Sequence, residues 1–165
     1  MWTQLHWVDG PWPGRLALAS RPRGGDWLPD EIASWRRSGA DAVLSLLTPG
    51  EEIDLDLGEE ANEARKQNVD FMSFPIRDRD VPDSELDMTR SVAELERALS
   101  SGKNVVVHCR QGIGRTGLVA ACLLVSSGIS PEAAVEKLSA ARGLDVPETP
   151  GQRQWIDHYA ASVAA

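Results

Sequence analysis

Cys109 stands between an apolar run and a glycine-bearing run that ends in arginine and a hydroxyl: Val105-Val106-Val107-His108-Cys109-Arg110-Gln111-Gly112-Ile113-Gly114-Arg115-Thr116-Gly117. The valines predict a buried strand and the residues from Arg115 onward predict a helix, so the cysteine belongs to the loop joining them. Backbone N–H groups of such a loop converge on one point, and the positive end of the helix dipole adds to them, so an anion is favoured there. The same field favours thiolate over thiol and lowers a cysteine pKa from about 8.5 into roughly the 3.5–7.5 range. Arg115 follows Cys109 after five residues, and its planar guanidinium suits two oxygens of a phosphoryl group in a way that lysine cannot copy. The loop therefore activates a nucleophile and binds the group that it would attack.

The run His108 to Gly117 resembles the signature of the cysteine-based protein tyrosine phosphatases: His-Cys, five residues, Arg, then Ser or Thr, then Gly. The resemblance implies phosphomonoester hydrolysis through a phosphocysteine, with Cys109 as nucleophile and Arg110, Gln111, Gly112, Ile113, Gly114 and Arg115 around the phosphoryl group. It implies that Thr116 stabilises the sulfur as attacker and as leaving group, and that His108 orients and polarises the cysteine. A departing oxygen also needs a proton from a carboxylic acid. Pro75-Ile76-Arg77-Asp78 resembles the acid loop of the compact dual-specificity phosphatases, which makes Asp78 the first choice, Asp80 the second and Asp83 the third.

Further along, Arg142-Gly143 and Pro147-Glu148-Thr149 with Gln152 resemble a pattern of bacterial dual-specificity-like members. By that likeness Gln152 approaches the site and helps to position water; read alone, it is a surface glutamine at a helix start, and Thr149 is an N-cap. Arg21-Pro22 and Trp27-Leu28 also resemble these proteins and are expected to line one wall of the pocket. The 165 residues leave no room for the extra segment that deepens the pocket of the large tyrosine-specific members, so a shallow pocket is expected, open to phosphoserine and phosphothreonine as well as phosphotyrosine. A phosphoinositide, inositol phosphate or RNA 5′-phosphate is the alternative substrate for the same chemistry. A catalytically silent phospho-binding module is the alternative from another class, and the presence of nucleophile, arginine, hydroxyl and acid candidates speaks against it.

Composition narrows the partners. Seventeen Lys and Arg against 25 Asp and Glu give a net charge of −8, which is no nucleic-acid or membrane-surface profile. A local basic patch from Arg15, Arg21, Arg23, Arg77 and Arg79 is conceivable, with Arg15 and Arg23 read as solvated surface charges. No apolar run reaches the roughly 20 residues of a membrane span, and the first residues lack a signal-peptide pattern, so a cytoplasmic location is expected. The substrate expected is a phosphorylated protein or small phosphomonoester, and a monomer is favoured. The two cysteines, Cys109 and Cys122, form no C-x-x-C pair and no histidine cluster has metal-ligand spacing, so neither metal nor cofactor is implied. Cys122 lies on an apolar helix, 13 positions from Cys109, beyond the ~7 Å Cα separation that a disulfide spans, and reads as core.

Short strands alternate with helices along the chain. Strands are predicted at Leu5 to Val8 and Arg15 to Ala19 as a hairpin, then at Ala42 to Leu47, Val69 to Phe74 and Asn104 to His108. Helices are predicted at Trp27 to Ser38, with Trp27, Leu28, Ile32 and Trp35 inward, and at Glu59 to Lys66. Others are predicted at Ser84 to Ser100, with Leu86, Val92, Leu95 and Leu99 inward, at Arg115 to Ser127, Pro131 to Ala141 and Thr149 to Ala164. The acidic stretch Glu51 to Leu57 reads as a loop leading into the second of these helices. The pattern predicts one α/β domain over residues 1–165: a mainly parallel central sheet of about four to five strands with helices on both faces. In such sheets ligands collect at the carboxyl ends of the strands, which is where Cys109 falls.

Overall fold

β-branched residues suit a strand that is buried on both faces, because successive side chains point to opposite sides and both must meet apolar neighbours. Val105, Val106 and Val107 are all fully buried in strand β5 (Val105–His108), the middle of a five-stranded sheet in the computed structural model, which describes residues 2–164. Strands β2 (Leu16–Ala19) and β3 (Ala42–Ser45) flank β5 in parallel, with Leu16 and Ala42 both in register with Val105. Strand β4 (Asp70–Ser73) adds in parallel to β3, while β1 (His6–Val8) forms an antiparallel hairpin with β2 at the opposite edge. The order is β1-β2-β5-β3-β4.

The alternation of side chains divides the interior into two layers. Leu16, Leu18, Ala42, Leu44, Val105 and Val107 meet helices α4 (Glu85–Ser100), α5 (Gly114–Ser126), α6 (Pro131–Arg142) and α7 (Pro150–Ala164). Ala17, Ala19, Val43 and Val106 face α1 (Leu28–Arg37) and α3 (Glu60–Lys66). Helices therefore cover both faces, as the alternation of elements predicts. Residues Gly114 to Val125 of α5 are all buried because α4, α6 and α7 pack around that helix; a helix apolar on every side needs neighbours on every side. Cys122 lies in this layer, and burial pushes its thiol far above the ordinary range, as suits a packing residue. Both cysteines are free. Among the described residues no helix is long and apolar enough to cross a membrane.

Three local expectations are corrected. Residues 51–57 are not a loop throughout: helix α2 (Pro49–Asp54) begins two residues earlier. Thr48 Oγ1 accepts from the Glu51 amide at 3.3 Å while a Glu51 carboxylate oxygen accepts from the Thr48 amide at 3.1 Å, the reciprocal capping that Thr-x-x-Glu can make. On α4 the inward residues are Met88, Val92, Leu95 and Leu99, whereas Leu86 is exposed. Met88 lies four positions before Val92, which keeps it on the same face; Leu86 lies six before, which does not. Trp27 ends a short 3-10 turn (Gly25–Trp27) ahead of α1 and is exposed, its ring covered by the Arg23 guanidinium at 4.2 Å.

Candidate active site

Strand β5 ends at His108 and α5 starts at Gly114, so residues 109–113 form a loop at the carboxyl end of the central strand. Gly112 adopts φ +71°, and a Cβ there would stand 2.5 Å from the backbone carbonyl carbon and oxygen of Ala19. Both facts demand glycine. The loop's carbonyls are engaged elsewhere: Arg142 donates to Gly112 O and to Gln111 O, each at 3.0 Å, and Ser20 Oγ donates to Gln111 O at 3.0 Å. Neither donor residue lines the pocket. Holding the acceptors of the loop on other partners suits a pocket meant for an anion.

Arg115 is buried, and five acceptors fix its guanidinium, the longest contact being Nη1 to Leu46 O at 3.5 Å. Nη1 donates to Glu51 Oε1 at 2.6 Å and to Ile76 O at 2.8 Å; Nη2 donates to Glu51 Oε2 at 2.9 Å and to Asp78 Oδ1 at 3.0 Å. Burial opposes its charge, but the Glu51 hydrogen bonds and the nearby Cys109, Glu51 and Asp78 charges outweigh that, and its pKa is raised. Glu51 answers in kind. Burial pushes its carboxyl up, but the Arg115 hydrogen bond, the Thr48 amide and the Arg115 charge bring it below the ordinary carboxylate range. Among the described residues four buried side-chain atoms have no partner, Arg21 Nε, Glu85 Oε1, Arg115 Nε and Thr116 Oγ1, and the last two belong to this site. An unpaired buried polar atom costs about 1–3 kcal/mol, so two of them on consecutive residues at a helix start point to a ligand.

Beneath the cysteine, His108 is fully buried between two oxygens. Its Nε2 lies 2.7 Å from Glu60 Oε2, its Nδ1 lies 3.3 Å from Cys109 O, and Trp35 packs against the ring at 5.9 Å between centroids. The histidine is therefore tethered to the backbone of the cysteine and to a carboxylate on α3.

The pocket has a volume of about 150 Å³ and is lined by Asp78, Arg79, Cys109, Arg110, Gln111, Gly114, Arg115 and Glu148. This is small beside the ~300–1,000 Å³ of sites that engulf a drug-sized ligand, and most of the residues that line it are polar or charged. Of the sequence-derived candidates, Asp78, Cys109, Arg110, Gln111, Gly114 and Arg115 line it together. Gly112 makes the turn, and Ile113 packs against the core beside α5. Thr116 and His108 are buried next to the lining residues. Asp80 and Asp83 both pair with Arg77, at 3.1 and 3.0 Å, and line no part of the pocket. Asp80 also accepts from the Val81 amide, and that bond, with the Arg77 pairing, holds its carboxyl below the ordinary range.

Gln152 is no surface residue. It is fully buried, its Oε1 accepts from the Glu148 and Thr149 amides, and its Nε2 donates to Asp80 O, all at 3.1 Å. Thr149 is the cap expected, its Oγ1 accepting from the Gln152 amide. The segment Arg21, Pro22, Trp27 and Leu28 does not form a pocket wall, and that wall comes instead from Arg79 and Glu148, paired at 2.8 Å. Nor do the arginines form a free basic patch. Arg23 pairs with Glu31, Arg77 with Asp80 and Asp83, Arg79 with Glu148, and Arg15 lies over the Trp7 ring at 4.5 Å. Sequence reasoning missed Glu51 and Glu60, and it named Arg79 only in a candidate basic patch and Arg142 and Glu148 only within a family-like pattern, without the contacts they make. Only Glu51 carried a local signal, the Thr48-x-x-Glu51 spacing of a capping box.

Comparison with known proteins agrees with this geometry. Cyclin-dependent kinase inhibitor 3 of Rattus norvegicus is 34% identical over 132 residues, which cover 79% of this chain and 62% of that protein. The protein of the same name from Homo sapiens is 36% identical over 93 residues, 55% of this chain and 43% of that one. The chain thus spans less than two thirds of the length of these curated relatives. A crystal structure of kinase-associated phosphatase, with its catalytic-site cysteine replaced by serine, superposes with a TM-score of 0.91 at 22% identity, over 100% of this chain and 98% of that one. Tk-PTP in its active form gives a TM-score of 0.80 at 27% identity, over 98% and 99% of the two chains. Residues 3–155 match the family described as Swiss Army Knife protein, DSP-PTPase phosphatase domain. The chain belongs to that family of dual-specificity-type cysteine phosphatase domains.

Proposed function

We propose that residues 1–165 form one catalytic domain that hydrolyses phosphotyrosine, and phosphoserine or phosphothreonine, in protein substrates through a phosphocysteine on Cys109. The observation that carries this reading is the pair of buried, unpartnered groups, Arg115 Nε and Thr116 Oγ1, on the helix start that follows Cys109. They stand ready to serve phosphoryl oxygens and the sulfur. In the first step the Cys109 thiolate forms a bond to phosphorus as the bond to the leaving oxygen breaks, and Asp78 gives that oxygen its proton. In the second step water attacks the phosphocysteine, Asp78 takes a proton from that water, and the thiolate departs. Arg115 and the loop amides bear the charge of both transition states.

Asp78 is preferred as the acid because it lines the pocket, while Asp80 and Asp83 do not. The small polar pocket supports a substrate that presents its phosphoryl group on a short stalk. The test is p-nitrophenyl phosphate turnover in excess chelator. The expected result is activity that persists in EDTA and is abolished in Cys109→Ser; undiminished turnover by Cys109→Ser, or loss of activity in EDTA, contradicts the mechanism.

A further inference from the structure

The loop that carries Asp78 is exposed, and besides the Asp78–Arg115 pair at 3.0 Å its ion pairs at Arg77 stay local, to Asp80 and Asp83 of the same loop. Arg115 holds Ile76 and Asp78 of this loop, and the start of α7 with the segment before it holds the residues that follow. Arg79, at φ +61°, reaches Glu148 Oε2 at 2.8 Å, and Gln152 Nε2 donates to the Asp80 carbonyl at 3.1 Å. The other end of the Gln152 amide is spent as well, since Oε1 accepts from two backbone amides, those of Glu148 and Thr149. Gln152 is 0% exposed and does not line the pocket. Room for this approach comes from Gly114, where a Cβ would stand 2.9 Å from Gln152 Oε1 and 3.0 Å from Glu148 Oε1. The residue that opens α5 beneath the phosphate loop is thus also the one that admits the strap.

From these contacts we infer that Gln152, together with the Arg79–Glu148 pair, positions Asp78 by holding the two residues that follow it, Arg79 by its side chain and Asp80 by its carbonyl, and that Gln152 does not position the hydrolytic water. The inference rests on Asp78 being the general acid. Its consequence is selective. A strap that places the acid matters where the leaving oxygen needs a proton and is irrelevant where it does not. A glutamine that orients water acts on the second step, which is the same for every leaving group.

Two variants separate these roles. Gln152→Glu keeps an acceptor for the Glu148 and Thr149 amides and loses the donor to Asp80. Arg79→Asn, at an exposed position, keeps a residue that tolerates positive φ and removes the guanidinium. Each is assayed on phenyl phosphate and 2,4-dinitrophenyl phosphate, alone and combined with Asp78→Ala, with rapid mixing to detect a burst of released phenolate. The expected result is about a tenfold fall in kcat/KM on phenyl phosphate, less than about a twofold change on the activated ester, no new burst, and no further loss in the Asp78→Ala background. Equal losses on both esters, a burst followed by a slow phase, or a loss that adds to that of Asp78→Ala overturns the inference while leaving the acid assignment intact. If Asp78→Ala is itself indifferent to the leaving group, the acid assignment fails and the inference falls with it.

Discussion

Arg115 and Asp78 share a hydrogen bond of 3.0 Å, yet the two sides of the pocket that they represent are held by different means. Arg115 is 1% exposed, gripped by a bidentate buried carboxylate and by a backbone carbonyl, at the start of a helix that is buried on every side. Asp78 is 50% exposed, and apart from Arg115 the loop to which it belongs is tied by exposed ion pairs and one glutamine amide. Exposed pairs contribute roughly 0–1 kcal/mol, whereas removing one partner of a buried pair costs about 3–5 kcal/mol. The Arg115 side is therefore rigid by burial, and the Asp78 side, the proposed acid side, is adjustable. This division fits the proposed chemistry, in which the Arg115 side serves both steps in one geometry while Asp78 gives a proton to one oxygen and takes one from another.

The division predicts different responses to substitution. On the acid side, Asp78→Ala is expected to lower kcat/KM on phenyl phosphate by about 10²-fold and to affect activated esters far less, with the melting temperature unchanged. Asp80→Ala is expected to change either rate by less than about twofold, since Asp80 serves only Arg77 and the Val81 amide. A reversal of the two variants would move the acid to Asp80.

On the binding side the expected signature is in stability. The Glu51 carboxyl lies below its ordinary value of 4.5 in the folded protein, so the stability it contributes is present above about pH 4.5. It is lost as the pH falls through the lower folded value. Glu51→Gln is expected to flatten this acid limb of stability against pH, followed by chemical denaturation between neutral pH and pH 3, and to lower stability at pH 7. An acid limb identical to that of the native chain would show that the Arg115 grip contributes nothing to the fold.

How much of this was legible in the sequence follows from distance along the chain. Cys109, Arg115 and Thr116 occupy one short window whose spacing carries its own geometry, and three valines and an apolar helix placed that window at the end of a central strand. The partners that hold the window come from far away: Glu51 is 64 positions from Arg115, Glu60 is 48 from His108, and Glu148 is 69 from Arg79. Only the folded sheet brings them together. β3 delivers α2 beside β5, so a glutamate that looks like part of an acidic loop becomes the partner of Arg115. Gln152 shows the same limit. Its helix-start position and Thr149 cap were readable, but its burial and its bond to Asp80 depend on the approach of α7 to Gly114.

The most direct test of the two-step mechanism is to mix the native protein with an excess of 2,4-dinitrophenyl phosphate, quench within milliseconds in acid and map the trapped phosphoryl group by peptide mass spectrometry. The mechanism predicts the added mass of one phosphoryl group on the peptide containing Cys109, and none in Cys109→Ser. A phosphoryl group on any other residue, or full turnover with no phosphorylated peptide at any quench time, would contradict it.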